Sequence, residues 1–295
     1  MDKNLFQRLI TGSLFVIVLV SAICFSVWSM VGIFLLITIL GLREFYKLAN
    51  KAGAHPQKIF GTILGALILL AAFFFKACPT RLIILLLPLS FLPFFIELYR
   101  KKHNPFANIA WTILGLFYIA IPFSLLILKF VPFHFLMPHL PGEVPGPNVY
   151  NFRPLLSIFV LIWISDSMAY VFGRLFGKHK LFERISPKKT WEGFIGGLIF
   201  TAAAGAAFGH WLLFDITNSP LEITWTCVAI VISISGMLGD LTESLLKRSI
   251  DIKDSGKLLP GHGGILDRFD ALLLATPFAI FTYWICEYIS SSFPL

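Results

Sequence analysis

The sequence predicts an all-α polytopic membrane protein of about nine transmembrane helices, with the N-terminus cytoplasmic and the C-terminus outside. Three observations carry this reading. Of 295 residues, 57% are hydrophobic and only 14% are charged, where a soluble domain carries about a quarter charged residues. The apolar residues fall into runs approaching the ~20 residues a helix needs to cross hydrocarbon. The basic residues cluster in alternate gaps between those runs, as the positive-inside rule requires.

The runs cover about 9–27, 29–42, 59–75, 81–98, 111–130, 155–172, 193–214, 223–240 and 266–289. The first follows MDKNLFQR and resembles a signal peptide at its start. It continues past the ~7–15 residues of a signal-peptide core, so it reads as a retained first helix. A tight turn near Ser29 separates it from the second run; one long tilted helix plus a re-entrant piece is the alternative. With the N-terminus inside, the inner groups are Lys3 and Arg8; Arg43, Lys47, Lys51 and Lys58; Arg100 to Lys102; Arg174 to Lys189; and Lys247 to Arg268. Of the 24 Lys and Arg residues only Lys76, Arg81, Lys129 and Arg153 fall outside. Segments 43–57 and 99–110 read as short amphipathic interfacial pieces with their basic residues on one face. Residues 131–154, rich in proline and glycine, read as an outer connector.

The net charge of +8 fits cytoplasmic loops facing anionic headgroups, and no nucleic-acid motif accompanies it. Cys24, Cys78, Cys227 and Cys286 are widely spaced, which disfavours a zinc site or a disulfide framework. No internal repeat is evident, and no soluble domain is long enough to stand alone.

Two inner loops hold nearly all the unusual polarity. In the first, Asp166 lies within the sixth run, where a carboxylate usually faces a cavity or a partner. Tyr170 and Gly173 follow at i+4 and i+7, on the same helix face. Ser186-Pro187-Lys188-Lys189-Thr190 then offers two ammonium groups and two hydroxyls just before a helix, a set suited to polyphosphate; on spacing alone an ordinary positive-inside loop is the simpler reading. In the second, Asp240, Glu243, Ser244 and Lys247 form one helical stripe. Asp267 and Asp270, at i and i+3, open the last run. Carboxylates from two helices make a hard oxygen site suited to Mg²⁺. Between them His262 sits among Gly261, Gly263 and Gly264.

The stretch from Ser244 to Asp270 closely resembles the phosphatidate cytidylyltransferase (CDP-diacylglycerol synthase) family. The residues that carry the resemblance are Ser244, Lys247-Arg248, Lys253-Asp254, Gly256, Pro260, His262-Gly263-Gly264 and Asp267-Arg268-Phe269-Asp270. Asp166, Ala169-Tyr170, Gly173, Ser186 to Thr190, Glu192-Gly193 and Gly239-Asp240 agree with it. The specific resemblance covers about 166–270; the first half resembles the family only as a hydrophobic region.

The resemblance implies transfer of CMP from CTP to phosphatidate, giving CDP-diacylglycerol and pyrophosphate. It implies Mg²⁺, with a second monovalent cation such as K⁺ in some members. Asp240 and Asp267 correspond to the metal-binding carboxylates, and the catalytic set becomes Asp240, Asp267, Lys247, His262 and Asp270. Ser244, Arg248, Lys188, Lys189, Asp166, Tyr170 and Arg268 are the expected substrate-binding residues. Residues 1–154 form an N-terminal multi-span region and 155–295 a catalytic membrane region. Expected partners are CTP, phosphatidate and the bilayer, without nucleic acid; a homodimer is compatible with the resemblance. The expected location is a bacterial inner membrane, with the active site on the cytoplasmic side. A transporter using Asp166 and Asp240 as an ion path would not need the clustered basic residues. An enzyme transferring from CTP to another lipid stays open, because apolar tails leave little pattern.

Overall fold

The structure, a computed structural model, describes residues 3–74, 79–131, 150–212, 221–256, 258 and 263–292. The chain divides into two compact units: residues 1–152 with 249–268, and residues 153–248 with 269–295.

The first unit holds α1 (Lys3–Phe25), α2 (Val27–Lys51), α3 (Lys58–Phe74), α4 (Pro79–Tyr99), α5 (Pro105–Gly115) and α6 (Ile121–Phe130). The break between α1 and α2 falls at Ser26, three residues before the expected turn. Ser26 is extended (φ −163°, ψ 155°) and its hydroxyl accepts from Trp28 N at 3.2 Å, capping α2. Ser29 instead braces the junction, its hydroxyl 2.7 Å from Ala22 O and 2.8 Å from Ser26 O.

Segment 43–57 is not a separate interfacial piece. Its first nine residues continue α2 to Lys51. Arg43, Lys47 and Lys51 form an exposed stripe at i, i+4 and i+8, while Glu44, Phe45, Tyr46, Leu48 and Ala49 are buried. The basic face is real, but the opposite face packs in the core. Segment 99–110 is likewise divided. Tyr99 ends α4, Asn104 is left-handed (φ 53°), and Pro105 opens α5. The two stretches are tied together by a buried polar cluster. Glu97, 5% exposed, accepts from Gln57 Nε2 (3.0 Å), Asn108 Nδ2 (2.7 Å) and Arg100 Nη1 (2.7 Å). A carboxylate this deep persists only when its oxygens are so satisfied.

α5 and α6 are joined without a break by a π turn, Leu116–Ala120. Pro122, which has no N–H to donate, is the second residue after the turn, and the wider turn absorbs that mismatch. Tyr46 sits fully buried against this segment and donates to Thr112 O at 2.9 Å. It fits because α3 and α5 each present a glycine there. A Cβ on Gly61 would collide with the Tyr46 hydroxyl, and one on Gly115 would lie 2.7 Å from its ring.

The second unit holds α7 (Arg153–Phe176), α8 (Trp191–Ala207, continued by a π turn Phe208–Leu212) and α9 (Leu221–Ser249, whose last residue falls in the first unit). It also holds α10 (Leu266–Ser292) from Phe269 onward. Between α7 and α8 lies a two-stranded antiparallel ribbon, β1 (Lys180–Phe182) and β2 (Ser186–Thr190). Among the described residues this ribbon is the departure from an all-α chain.

Six helical stretches are long and apolar enough to cross a membrane: Val27–Lys51, Pro105–Phe130, Arg153–Phe176, Trp191–His210, Glu222–Ser249 and Leu266–Ser290. Ile10–Phe25, Lys58–Phe74 and Leu86–Tyr99 are shorter apolar helices. Large apolar side chains face outward along them, among them Ile17, Phe25, Ile59, Phe117 and Ile199. Helices apolar on both inner and outer faces are those of an integral membrane protein. Cys24, Cys227 and Cys286 are free thiols, while Cys78 and most of the expected outer connector lie outside the described residues.

The Tyr46 slot is testable with two alanine substitutions. Gly61→Ala drives a methyl into a buried ring and is expected to cost about 1–3 kcal/mol, read as a lowered thermal unfolding midpoint in detergent. Gly32→Ala, where a Cβ meets nothing within 4 Å, is expected to leave the midpoint unchanged or raise it slightly.

Candidate functional site

The site in the second unit is built on a close helix pair. α8 begins WEGFIGG, and its glycines lie against α7. A Cβ on Gly193 would sit 2.6 Å from Ala169 O, and one on Gly197 2.9 Å from Ser165 O. No larger residue fits, so the two backbones pack in direct contact, as small residues allow between membrane helices. The ribbon between them is pinned at its base. The Thr190 hydroxyl caps α8 by accepting from Gly193 N at 3.2 Å. Glu192 accepts from Lys178 N (3.0 Å) and from the His179 ring (2.6 Å), and Trp191 N donates to His179 O (3.0 Å). The pinned ribbon presents Lys188 and Lys189 beside the polar end of α7.

A cavity of about 340 Å³ opens there. It brings together five residues singled out from the sequence: Asp166, Tyr170, Lys188, Lys189 and Asp240. Asp166 is ringed by protein, yet its carboxylate is exposed to the cavity. Asp240 enters from α9. Its Oδ2 pairs with Lys189 Nζ at 2.5 Å, and Ser244, one turn on, donates to its Oδ1 at 3.3 Å. α7 and α9 are joined just beneath by the Ser165 and Ser233 hydroxyls, 2.9 Å apart. Tyr170, 66% exposed, forms the outer wall with Arg174, whose Nη1 donates to its hydroxyl at 3.3 Å.

Asp270 completes the electrostatics. α9 and α10 touch at Gly239, where a Cβ would lie 2.5 Å from Asp270 O. Asp270 therefore comes within electrostatic reach of both Asp240 and Asp166, and of Lys247. Lys247 is ion-paired at 3.2 Å to Glu243, whose side chain is fully buried. Arg248 is exposed at the end of α9.

Asp267 and Arg268 belong to the first unit. Arg268 is exposed. Asp267 is fixed by the loop that precedes α10: its Oδ2 accepts from Gly264 N (2.7 Å), Ser255 N (3.0 Å) and Ser255 Oγ (3.0 Å). Sequence reasoning missed the group behind this loop. Glu44 of α2, 6% exposed, accepts from Leu266 N at 3.1 Å and from Ser255 Oγ at 3.3 Å. A carboxylate on an otherwise buried helix face was the available signal, but the adjacent Arg43 and Lys47 masked it as part of a surface stripe. Arg174, counted only among the inner basic residues, and Glu192, quoted only within the resemblance, were given no site role. His262 lies outside the described residues.

The donor set bears on a metal. Asp166, Asp240 and Asp270 are all hard oxygen donors, matched to Mg²⁺ and unsuited to soft metals. Among the described residues no three such groups already enclose a metal-sized point. The Lys189 ammonium on Asp240 shows that this carboxylate takes a cation. In donor chemistry these residues match the ion.

Fold and site together define the class: a helical integral membrane protein with carboxylates and ammonium groups facing one cavity. The cytidylyltransferase family model matches residues 6–286, so the chain belongs to that family. A phosphatidate cytidylyltransferase of Staphylococcus haemolyticus is 49% identical over 123 residues, 42% of this chain and 46% of that protein. One from Staphylococcus aureus is 45% identical over 125 residues. One from Haemophilus influenzae is 45% identical over 135 residues, 44% of this chain and 45% of that protein. The matched stretch thus spans just under half the length of these relatives.

The ribbon's anchorage gives a direct measurement. Glu192→Ala removes the acceptor for the Lys178 and His179 amides. Amide exchange across 178–190 is expected to accelerate at least tenfold, while α7 and α8 keep their protection. Unchanged exchange in the ribbon would show that other contacts hold it.

Proposed function

We propose that this chain transfers the cytidylyl group of CTP to phosphatidate, forming CDP-diacylglycerol and releasing pyrophosphate. The observation that carries the reading is the cavity itself. In a chain of the cytidylyltransferase family, Asp166, Asp240, Lys188 and Lys189 line one cavity of about 340 Å³, with Lys189 paired to Asp240. The phosphatidate relatives add the lipid substrate.

A phosphatidate oxygen is already a competent nucleophile. The reaction therefore needs positioning and neutralised charge more than a strong base. That oxygen attacks the α-phosphorus of CTP, a new P–O bond forms, and the bond to the β-phosphate oxygen breaks with its electrons leaving on pyrophosphate. Lys188 and Lys189 neutralise triphosphate charge from the ribbon, with Arg248 and Lys247 as further cations at the end of α9. Tyr170 and Arg174 form the wall against which a substrate is oriented, and Ser244 holds Asp240. The metal-binding carboxylates in this reading are Asp240, with Asp166 and Asp270 alongside it, and Asp267 in the first unit. Mg²⁺, when bound, supplies positive charge to the transferring phosphoryl group and the leaving pyrophosphate; a monovalent ion such as K⁺ is a candidate second cation. His262 is assigned to phosphate contact, and Arg268 to substrate charge.

The finer topology belongs to the same reading. Nine transmembrane helices with the N-terminus cytoplasmic place the ribbon and the end of α9 on the cytoplasmic face of a bacterial inner membrane. CTP then arrives from water and phosphatidate laterally from the bilayer, and a homodimer is the proposed assembly.

Purified full-length protein with radiolabelled CTP, Mg²⁺ and phosphatidate is expected to yield label in the lipid phase; no lipid label would reject the reading. Asp240→Asn and Asp267→Asn are expected to lower turnover by at least 10³-fold with folding intact, and near-normal turnover would remove the metal role. Lys189→Ala is expected to raise the KM for CTP about tenfold, the effect of losing about 1.4 kcal/mol of binding. Single cysteines at Lys102 and Arg184 are expected to react with an impermeant thiol reagent in inside-out vesicles and not in intact spheroplasts. The opposite pattern would invert the topology.

A further inference from the structure

We infer that Glu44 is a positioning residue for Asp267, acting through Ser255 and the loop that leads into α10. The inference rests on Asp267 being a metal-binding carboxylate, as proposed above.

The argument begins with where the Asp267 hydrogen bonds originate. All three donors on its Oδ2, namely Gly264 N, Ser255 N and Ser255 Oγ, lie in the segment between α9 and α10. Loop backbone alone does not hold such donors to a fraction of an ångström. Here the loop is clamped by a group from elsewhere in the chain. The Glu44 carboxylate takes Leu266 N at 3.1 Å and Ser255 Oγ at 3.3 Å, and lies buried on α2. The Ser255 hydroxyl thus stands between two carboxylates, its one proton shared between Asp267 Oδ2 at 3.0 Å and Glu44 Oε2 at 3.3 Å.

The glycines of this segment have the same cause. A Cβ on Gly256 would collide with Glu44 Oε1, and one on Gly264 would collide with Glu44 Oε2 and with the Ser255 hydroxyl. Both positions are small because a carboxylate fills the space. Gly256 and Gly264 therefore form the socket for Glu44.

Two physical effects follow. The clamp fixes the orientation of Asp267, as outer-shell partners fix metal-binding carboxylates generally. The Glu44 charge also adds negative potential beside Asp267, favouring a divalent cation. Glu44→Gln keeps the shape and removes the charge. Ser255→Ala keeps the charge and removes the bridge.

The test uses purified full-length wild type, Glu44→Gln, Ser255→Ala and the double variant. Mn²⁺ binding is read by the loss of the free-ion EPR signal, and the Mg²⁺ dependence of lipid labelling is read in parallel. Each single variant is expected to weaken Mn²⁺ binding and raise the half-saturating Mg²⁺ concentration about tenfold, at the lower end of outer-shell effects. The double variant is expected to resemble either single one, because both break one path. The KM for CTP at saturating Mg²⁺ is expected to stay at the wild-type value. Wild-type Mn²⁺ affinity in Glu44→Gln, or a loss confined to the unfolded fraction, overturns the inference. Should Glu44→Gln fail to fold, Ser255→Ala decides alone by the same Mn²⁺ criterion. Wild type that binds Mn²⁺ but labels no lipid defeats the functional reading and leaves the Mn²⁺ comparison to judge Glu44. Asp267→Asn with wild-type Mn²⁺ affinity removes the premise and the inference together.

Discussion

A carboxylate on an apolar helix must find its hydrogen bonds inside the protein, because neither lipid nor a packed core supplies them. Three buried glutamates show how this chain meets that constraint. Glu97 is held by Gln57, Asn108 and Arg100, which locks the turn after α2 to the turn after α4. Glu44 is held by Ser255 and Leu266, which locks the loop before α10 to α2. Glu243 is paired with Lys247 one helical turn away. Removing one partner of a buried pair typically costs about 3–5 kcal/mol. The Glu97 and Glu44 clusters therefore each fix the geometry of a connection that the apolar helices alone would leave loose, while the Glu243 pair offsets charge within α9.

Close approach of backbones is the second determinant. Where α7 meets α8, Gly193 and Gly197 leave no space for a side chain. Where α9 meets α10, Gly239 does the same and sets Asp270 near Asp240. Two carboxylates from α7 and α9, Asp166 and Asp240, thus line one cavity, and Asp270 of α10 lies within electrostatic reach of both. The ribbon, pinned by Thr190 and Glu192, then adds two ammonium groups. The cavity thus combines like charges that repel one another with cations that offset them. A bound metal–triphosphate suits such a mixture, since it presents both signs at once.

The helix positions were legible in the sequence because burial in hydrocarbon is a local property. Every apolar run corresponds to a helical stretch, including the pair divided at Ser26. Asp166, Tyr170, Lys188, Lys189 and Asp240 were legible for a related reason: polar groups in an apolar chain stand out wherever they face. The errors came where a local pattern had two explanations. Arg43, Lys47 and Lys51 form the basic stripe expected of an interfacial segment, yet the same residues decorate the outer face of a helix whose inner face carries Glu44 and Tyr46. The ribbon was missed because Lys180–Phe182 and Ser186–Thr190 are too short to show alternation.

The sequence by itself determined that the chain is apolar and helical, which of its loops are basic, and that residues 166–270 carry a cytidylyltransferase pattern. Hydropathy, charge and motif spacing are written along the chain and need no partner to be read. Only the tertiary structure decided which charges meet. That Lys189 rests on Asp240, that Glu97 closes on Asn108, and that Glu44 reaches Ser255 are choices between residues 51, 11 and 211 positions apart. Such pairings are set by helix packing and glycine contacts, and no periodicity in the sequence encodes them.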